Sequence, residues 1–297
     1  MASQEQFNFF TLTRCKSQKV ARRLIAVLAG TATCLLALGP LGPVERPLQL
    51  LEPALAQADT SSLRITYAAR LSGIRLGTGV LSANIEGNRY TASMQARTSS
   101  VGRLVSSGRG EAVSRGTLGR RSVIPASYDL SASEQGITNI VRMRLRGGDI
   151  RELSAEPPLS ERPDRIEVRA QHRRDIVDPV SALLGPVPNA EAAIGPAACD
   201  RTIPLFDGRQ RYDIALSFVR MDDTEFGNGQ AVVCRMRYKP IAGHRENRRV
   251  NMELAANPNI FVWLSRVGDA ALVAPVRMEV GLEFGTLSVQ ALEWSVN

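Results

Sequence analysis

The chain has 297 residues, of which 44% are hydrophobic, 5% aromatic and 22% charged, and its formal net charge is +8. This length exceeds that of a peptide scaffold held only by cross-links, and the balance of apolar and charged residues excludes a wholly disordered chain. No run reaches the roughly 20 clean apolar residues of a membrane helix, which excludes a polytopic membrane protein. The composition allows one large domain or two modest ones.

Residues 1–56 have the pattern of an export signal. Basic residues between Arg14 and Arg23 precede an apolar run at 24–38, and small residues at 54 and 56 suit cleavage before Gln57. We therefore expect a signal peptide over 1–56 and a protein of the periplasm of a Gram-negative bacterium, which contacts the membrane only through this segment before cleavage. An uncleaved anchor facing the periplasm is the alternative, although the apolar run is short for a span. Removal of six basic and three acidic residues would leave a net charge of +5.

Two cysteines, Cys199 and Cys234, follow the export segment. Cysteines in an exported chain usually pair, so we expect a disulfide between them, with two free buried thiols as the alternative. On the loop-entropy model, a bridge that closes this loop stabilises the fold by roughly 3–4 kcal/mol.

Apolar residues recur at every second position through residues 57–297, which is the pattern of strands with one buried face. The alternating runs are 63–71, 141–146, 165–170, 212–218 and 276–284, and turn residues separate them at 86–88, 147–149, 206–208, 227–229 and 268–269. The pattern predicts a mainly β protein with a large curled antiparallel sheet, a closed or half-open β-barrel, in a single domain over 57–297. The adjacent Ala291 and Leu292 interrupt the last run and predict a β-bulge.

Helical signals are few, and we expect one or two short helices. The best is 178–184, where Asp178 can cap the N-terminus, Pro179 suits the first helical position and Gly185 ends the run. A turn over 99–104 is a weaker candidate. Residues 154–164 and 185–198 are expected to be loops.

The sequence contains little that supports catalysis. Only two histidines are present, His172 and His244, and neither lies in a spacing that builds a metal site. We therefore expect no metal and no cofactor, and favour a non-catalytic protein. A hydrolase built from His244 and either Asp207 or Asp213 is the enzymatic alternative.

Arginines dominate the basic residues, since Lys239 is the single lysine after the export segment. Arg142, Arg144 and Arg146 share one face of a predicted strand and could bind an anionic partner. Export and the absence of interleaved aromatic residues argue against nucleic acid. The alternative is a solvated face with glutamate partners such as Glu167.

A curled sheet of this size can enclose an apolar cavity. The large or adaptable side chains available to line one are Met143, Met252, Phe261, Trp263, Met278 and Trp294. An ordinary filled core is the alternative interpretation.

Several segments together resemble an exported bacterial family known as domain of unknown function 3108. The matching stretches are 67–83, 178–183, 199–213, the region of Cys234, 238–240, 243–244, 263–265, 275–277 and 285–286. The resemblance implies an exported, β-rich domain of one module with no established reaction. It also implies that distinctive turns of the family contain Asp178, Asp207, Gly208, Arg211, Tyr212 and His244.

These observations favour an exported periplasmic protein that binds an apolar or amphipathic component of the cell envelope. A module that docks a protein or polyanion is the first alternative, and a hydrolase is the second. The oligomeric state is not predicted.

Overall fold

The computed structural model describes residues 60–99, 108–134, 136–159, 161–187 and 194–297. These residues belong to one compact unit. The predicted signal peptide over 1–56, most of the predicted turn over 99–104 and part of the predicted loop over 185–198 lie outside the described residues. None of the helices in the described ranges is long and apolar enough to cross a membrane.

Fourteen strands form one antiparallel sheet. They are β1 (Thr60–Leu71), β2 (Ile74–Glu86), β3 (Arg89–Thr98), β4 (Gly108–Leu118), β5 (Val123–Glu134), β6 (Ile137–Arg146), β7 (Asp149–Glu156), β8 (Gly185–Pro186), β9 (Arg201–Phe206), β10 (Arg211–Asp223), β11 (Gln230–Ala242), β12 (Ile260–Arg266), β13 (Leu272–Leu282) and β14 (Gly285–Val296). One α-helix, α1 (Arg249–Ala256), lies between β11 and β12. The predicted β class with a short helix is confirmed.

The strand order is β7-β6-β5-β4-β3-β2-β1-β14-β13-β12-β11-β10-β9, and β8 pairs with β13 beside this path. Because β1 pairs with β14, the N-terminal and C-terminal strands are joined in the middle of the sheet. In the described ranges the two outermost strands, β7 and β9, are not paired with each other. The sheet is therefore half-open, which was one of the two predicted forms.

Period-two alternation explains why these segments are strands. On β6 the buried Val141, Met143 and Leu145 alternate with exposed arginines, so burial of one face stabilises the extended conformation. The predicted bulge in β14 is confirmed, because the pairing with β1 skips Leu292.

The main core lies between the first half of the sheet and a segment that crosses its inner face. This crossing segment, residues 176–184, contributes Ile176, Val177, Val180 and Leu184 to the core. A second core packs residues 194–199 against β10 to β13. The inner face is therefore covered by the chain itself.

Four predicted elements differ from the structure. The expected loop over 154–164 begins within β7, which ends at Glu156. The expected loop over 185–198 begins with β8 and includes a 3-10 helix at Pro196–Ala198. The run 165–170 is not a strand: apart from an isolated bridge at Arg165 it is irregular, and a 3-10 helix begins at Ala170. Ile166 instead exchanges backbone hydrogen bonds with Gly243 and His244 in the turn after β11. The predicted helix over 178–184 is a 3-10 helix limited to Ser181–Leu183, while α1 was not predicted.

Candidate functional site

The carboxylate of Asp178 is the centre of a buried polar network. Its Oδ1 accepts hydrogen bonds from the backbone N–H groups of Val180 and Ser181, both at 3.0 Å. Its Oδ2 accepts from the Ser114 hydroxyl at 2.8 Å and also contacts the Ser181 hydroxyl. The hydroxyl of Tyr90 lies 2.6 Å from that of Ser181. Asp178 thus caps the short 3-10 helix and attaches it to β3 and β4.

The geometry of this network favours a protonated Asp178. Its Oδ2 and the hydroxyl oxygens of Ser114 and Ser181 lie within hydrogen-bond distance of one another. Each of these three oxygen–oxygen contacts needs one proton. If the carboxylate is ionised, only the two serine hydroxyls supply protons, whereas a protonated carboxyl group supplies the third. Burial raises the pKa of Asp178, and the hydrogen bonds that it accepts offset only part of this effect. Burial also raises the pKa of Tyr90 to about 12.

The crossing segment joins distant parts of the sheet. The N–H of Ile176 donates to the carbonyl of Gly148 in the turn between β6 and β7, at 3.0 Å. Val177 donates to Pro204 at 2.7 Å and accepts from Phe206 at 3.0 Å, both on β9. These bonds fix the segment between the outermost strands, so the Asp178 network has a structural role.

The turn between β9 and β10 contains two of the residues that the family resemblance indicated, Asp207 and Gly208, and β10 begins with two more, Arg211 and Tyr212. Asp207 Oδ1 accepts from the backbone N–H groups of Arg209 and Gln210, at 2.8 and 2.6 Å, and Gly208 has a φ of +94°. On β10, Arg211 forms an ion pair with Asp213 at 2.6 Å. Asp207 therefore stabilises the backbone of the turn, and Asp213 on β10 pairs with the neighbouring guanidinium group.

Tyr212, at the start of β10, packs against Tyr238 with ring centroids 5.4 Å apart. Burial raises the pKa of Tyr212 well above its usual value, and the nearby carboxylate of Asp207 raises it further. The phenol therefore stays neutral, as a packed aromatic side chain requires.

His244 lies in the turn after β11 and is buried. Burial lowers the pKa of the imidazole, and its Nδ1 has no hydrogen-bond partner among the described residues. Neither Asp207 nor Asp213 bonds to it, because their carboxylates serve the contacts given above. The geometry therefore gives no support to the hydrolase alternative. His172 accepts a hydrogen bond from the backbone N–H of Arg169.

Arg142, Arg144 and Arg146 lie on the exposed face of β6, as the alternation predicts. Asp129 pairs with Arg144 at 2.9 Å, and Glu156 lies 3.9 Å from Arg142. The expected partner Glu167 pairs with Arg169 instead. This face therefore has mixed charge, which weakens it as a site for a polyanion.

A shallow depression of about 300 Å³ lies beside Arg142 and is open to solvent. Its lining residues are Glu111, Asp129, Leu130, Ser131, Ile140, Val141 and Arg142. Since acidic and basic groups line it together, it has no charge preference for an anion. No group of three or more histidine, cysteine, aspartate or glutamate side chains in the described ranges could hold a metal ion.

The predicted disulfide between Cys199 and Cys234 is confirmed, with a Cα–Cα distance of 5.4 Å. Both cysteines are fully buried in the second core. The bridge attaches the segment 194–199 to β11, which fixes the cover over the second half of the sheet.

The six side chains expected around a cavity do not lie around one space. Met143 fills the first core, Met278 packs against the second, and Met252 is exposed on α1. Trp263 lies in a third cluster, where the guanidinium carbon of Arg277 is 4.5 Å from its ring centroid. The same cluster includes Phe261 and Trp294. This set of side chains therefore gives no support to an internal binding cavity.

Large apolar side chains are exposed at one end of the strands, which we call the apolar end. It comprises the β1–β2 and β13–β14 turns, the first residues of β2 and β6, and α1, and it exposes Ile74, Ile137, Val250, Met252 and Phe284. These are five of the nine large hydrophobic side chains that the described residues expose, so the exposure is concentrated here. The backbone bond from Ser72 to Thr286 joins the β1–β2 turn to the start of β14. The ion pair between Arg249 and Glu283 joins α1 to the β13–β14 turn, and Ile137 on β6 lies outside these contacts.

Two pairs of arginines lie near the apolar end. Arg70 on β1 is directly opposite Arg75 on β2, and Arg97 on β3 is opposite Arg109 on β4. No carboxylate in the described ranges forms an ion pair with any of the four. Like charges directly opposite each other in a sheet are destabilising, so each of these two pairs retains a repulsion that no ion pair among the described residues offsets.

Sequence reasoning did not find the apolar end. It placed Phe284 on the buried face of the run 276–284, but Phe284 lies in the β13–β14 turn and is 74% exposed. The signal that could have found it is the position of Ile74 and Phe284 beside Gly73 and Gly285, because a bulky apolar residue beside a turn glycine is unusual for a solvated turn.

The curled sheet, the crossing segment and the disulfide together define a β-barrel-like domain. The chain belongs to the family described as Protein of unknown function (DUF3108), whose model matches residues 62–291. A similar solved structure is the "Beta-barrel-like Protein of Domain of Unknown Function DUF1849 from Brucella abortus", with 10% identity and a TM-score of 0.46. The similarity covers 80% of this chain and 98% of that one. No curated protein matches the chain significantly.

Proposed function

We propose that this is an exported, non-catalytic protein of the periplasm that binds an amphipathic component of the cell envelope at its apolar end. The export pattern of residues 1–56 and the disulfide support the location, because disulfides persist in oxidising compartments. Cleavage at 56 removes the membrane contact of the signal.

The observation that carries the proposal is the concentration of exposed apolar side chains at one end of the strands. Exposed apolar groups gathered in one place mark interaction sites in soluble domains. Phe284 and Ile74 are 74% and 57% exposed, so contact with the apolar part of an amphiphile would remove a large apolar area from water. The filled inner face directs such binding to the surface.

The turns at the opposite end differ in composition. They contain Gly87 and Asn88 between β2 and β3, Gly147 and Gly148 between β6 and β7, and Gly268 between β12 and β13. Gly87, Asn88, Gly147 and Gly268 are exposed and carry no apolar side chain, whereas Gly148 is buried. The two ends of the sheet therefore differ, and only one suits an amphipathic ligand.

Native mass spectrometry with lysophosphatidylglycerol below its micelle concentration tests the proposal. We expect a one-to-one adduct that is lost when Ile74 and Phe284 are both replaced by glutamate. Ile124→Glu is the matched control, because Ile124 is 40% exposed at the opposite end, and it should retain the adduct. Absence of an adduct with the wild type, or equal loss in the control, would contradict the proposal.

A further inference from the structure

The two arginine pairs specify what the apolar end contacts. Arg70 and Arg75, like Arg97 and Arg109, are cross-strand neighbours, and no described carboxylate forms an ion pair with them. An anion beside either pair would relieve the repulsion within that pair. The guanidinium group is also the side chain best suited to phosphate, because it donates two parallel hydrogen bonds.

The apolar tips lie at the outer edge of the same end. Ile74 directly precedes Arg75, and the turn that contains Phe284 is bonded to the β1–β2 turn through Ser72 and Thr286. Arg70 and Arg75 pair across the two strands just behind this turn. The apolar tips thus lie outermost. Arg70 and Arg75 lie one register position behind Ile74, and Arg97 and Arg109 lie deeper along the strands, in register with Thr78.

An anionic bilayer has the complementary order, with negatively charged phosphates above an apolar interior. We propose that the apolar end docks on the surface of an anionic membrane, with Phe284 and Ile74 among the headgroups and acyl boundary and the four arginines at the phosphates. This inference rests on the proposed function and names its partner as the bilayer itself. It replaces the expectation that only the export segment contacts the membrane. A soluble polyanion would contact the arginines but would leave the apolar tips in water.

The docking sets the orientation of the sheet. β2 has 13 residues and therefore spans about 40 Å, so the polar turns at its far end lie well away from the membrane. At 0.1 M salt this distance is several times the screening length of about 10 Å. Charges at the far end therefore provide an independent control.

Co-sedimentation with phosphatidylcholine vesicles, with and without phosphatidylglycerol, tests the inference. We expect binding only to the anionic vesicles, and weaker binding at 0.5 M salt. Replacement of Arg75 and Arg109 by glutamate should weaken binding by about tenfold or more, because each arginine near such a surface contributes to it. Arg120 and Arg121 are exposed in the β4–β5 turn. Their replacement by glutamate gives the same net charge as the Arg75 and Arg109 double variant and should leave binding unchanged.

Four results would overturn the inference. The first is equal binding to neutral and anionic vesicles, and the second is an equal loss in the Arg120 and Arg121 control. The third is unchanged vesicle binding after Ile74 and Phe284 are replaced by glutamate, which would indicate a polyanion site formed by the arginines alone. The fourth is failure to bind any vesicle. If the wild type then still forms the lysophosphatidylglycerol adduct, only the proposed membrane docking is wrong. If that adduct is absent as well, the proposed function is also wrong. Circular dichroism checks folding, and Arg75→Gln and Arg109→Gln provide milder variants.

Discussion

Gly208 packs directly against Val141: a Cβ atom built on Gly208 would lie 2.2 Å from Cγ1 of Val141. Gly208 belongs to the turn that follows β9, and Val141 is on β6, next to β7 at the other end of the strand order. The contact therefore brings the two ends of the half-open sheet together without a strand pairing. Only glycine satisfies both the positive φ and the close approach.

The first prediction concerns this contact. Gly208→Ala combines a left-handed backbone conformation with overlap in the core, and should lower the free energy of unfolding by about 2–4 kcal/mol. Gly87→Ala is the matched control, because Gly87 also has a positive φ but nothing lies within 4 Å of its Cβ position. It should lower the free energy of unfolding by only about 1 kcal/mol. Urea denaturation measures both, and equal losses would contradict the close packing.

The second prediction concerns Asp178 and pH. Burial raises its folded pKa above the ordinary value of 3.8. The protonated carboxyl group therefore makes its full contribution to the free energy of unfolding below pH 3.8. This contribution is lost as the pH rises through the folded pKa. Asp178→Asn keeps the acceptor for the backbone and replaces the carboxyl proton with an amide donor, so the Asn variant should gain stability relative to the wild type between pH 4 and 7.

Denaturation of both proteins across this range measures the difference. Asp178→Ala should destabilise at every pH by about 3 kcal/mol, because it leaves the Ser114 hydroxyl and two backbone N–H groups without their acceptor. A difference between the Asn variant and the wild type that stays constant from pH 4 to 7 would show that Asp178 has an ordinary pKa.

The third prediction concerns the disulfide. Replacement of Cys199 and Cys234 by serine should lower the free energy of unfolding by about 3–4 kcal/mol, because the unfolded chain then gains the entropy of an open loop between positions 35 residues apart. Reduction of the wild type should have a similar effect in urea denaturation. An unchanged midpoint after reduction would contradict this role.

The strands could be predicted from the sequence because each buries one face. On β6, Val141 and Met143 face the core and Arg142 faces solvent, and this alternation is visible without any tertiary information. The disulfide was predictable for a different reason: two cysteines after an export signal leave one possible pairing. Local pattern was sufficient in both cases.

The crossing segment could not be predicted as such. The sequence predicts Asp178 as a helix cap, and it does cap a short 3-10 helix. Its buried contacts, however, include Ser114, which is 64 residues earlier in the chain. The pairing of Val177 with β9 is equally non-local. Such contacts follow from how the sheet curls, which the strand pattern does not specify.

The apolar end was not predicted because the alternation of apolar and polar residues indicates which side chains of a strand are buried. It does not indicate which side chains are buried in the turn that follows the strand. Phe284 fits the alternation of Val280 and Leu282, yet β13 ends at Leu282 and the chain reverses there. The four arginines were equally hidden, since their pairing depends on the register of β1 to β4. The candidate arginines on β6 were easier to see but have acidic neighbours.

Hydrogen–deuterium exchange of the wild-type protein, with and without phosphatidylglycerol-containing vesicles, tests the central claim most directly, because it locates the contact without any substitution. We expect slower exchange in residues 71–76 and 282–287 when vesicles are present, and no change in the turns at 86–89 and 119–123. Protection at the polar turns, or no change at the apolar end, would contradict the assignment of the apolar end as the binding surface.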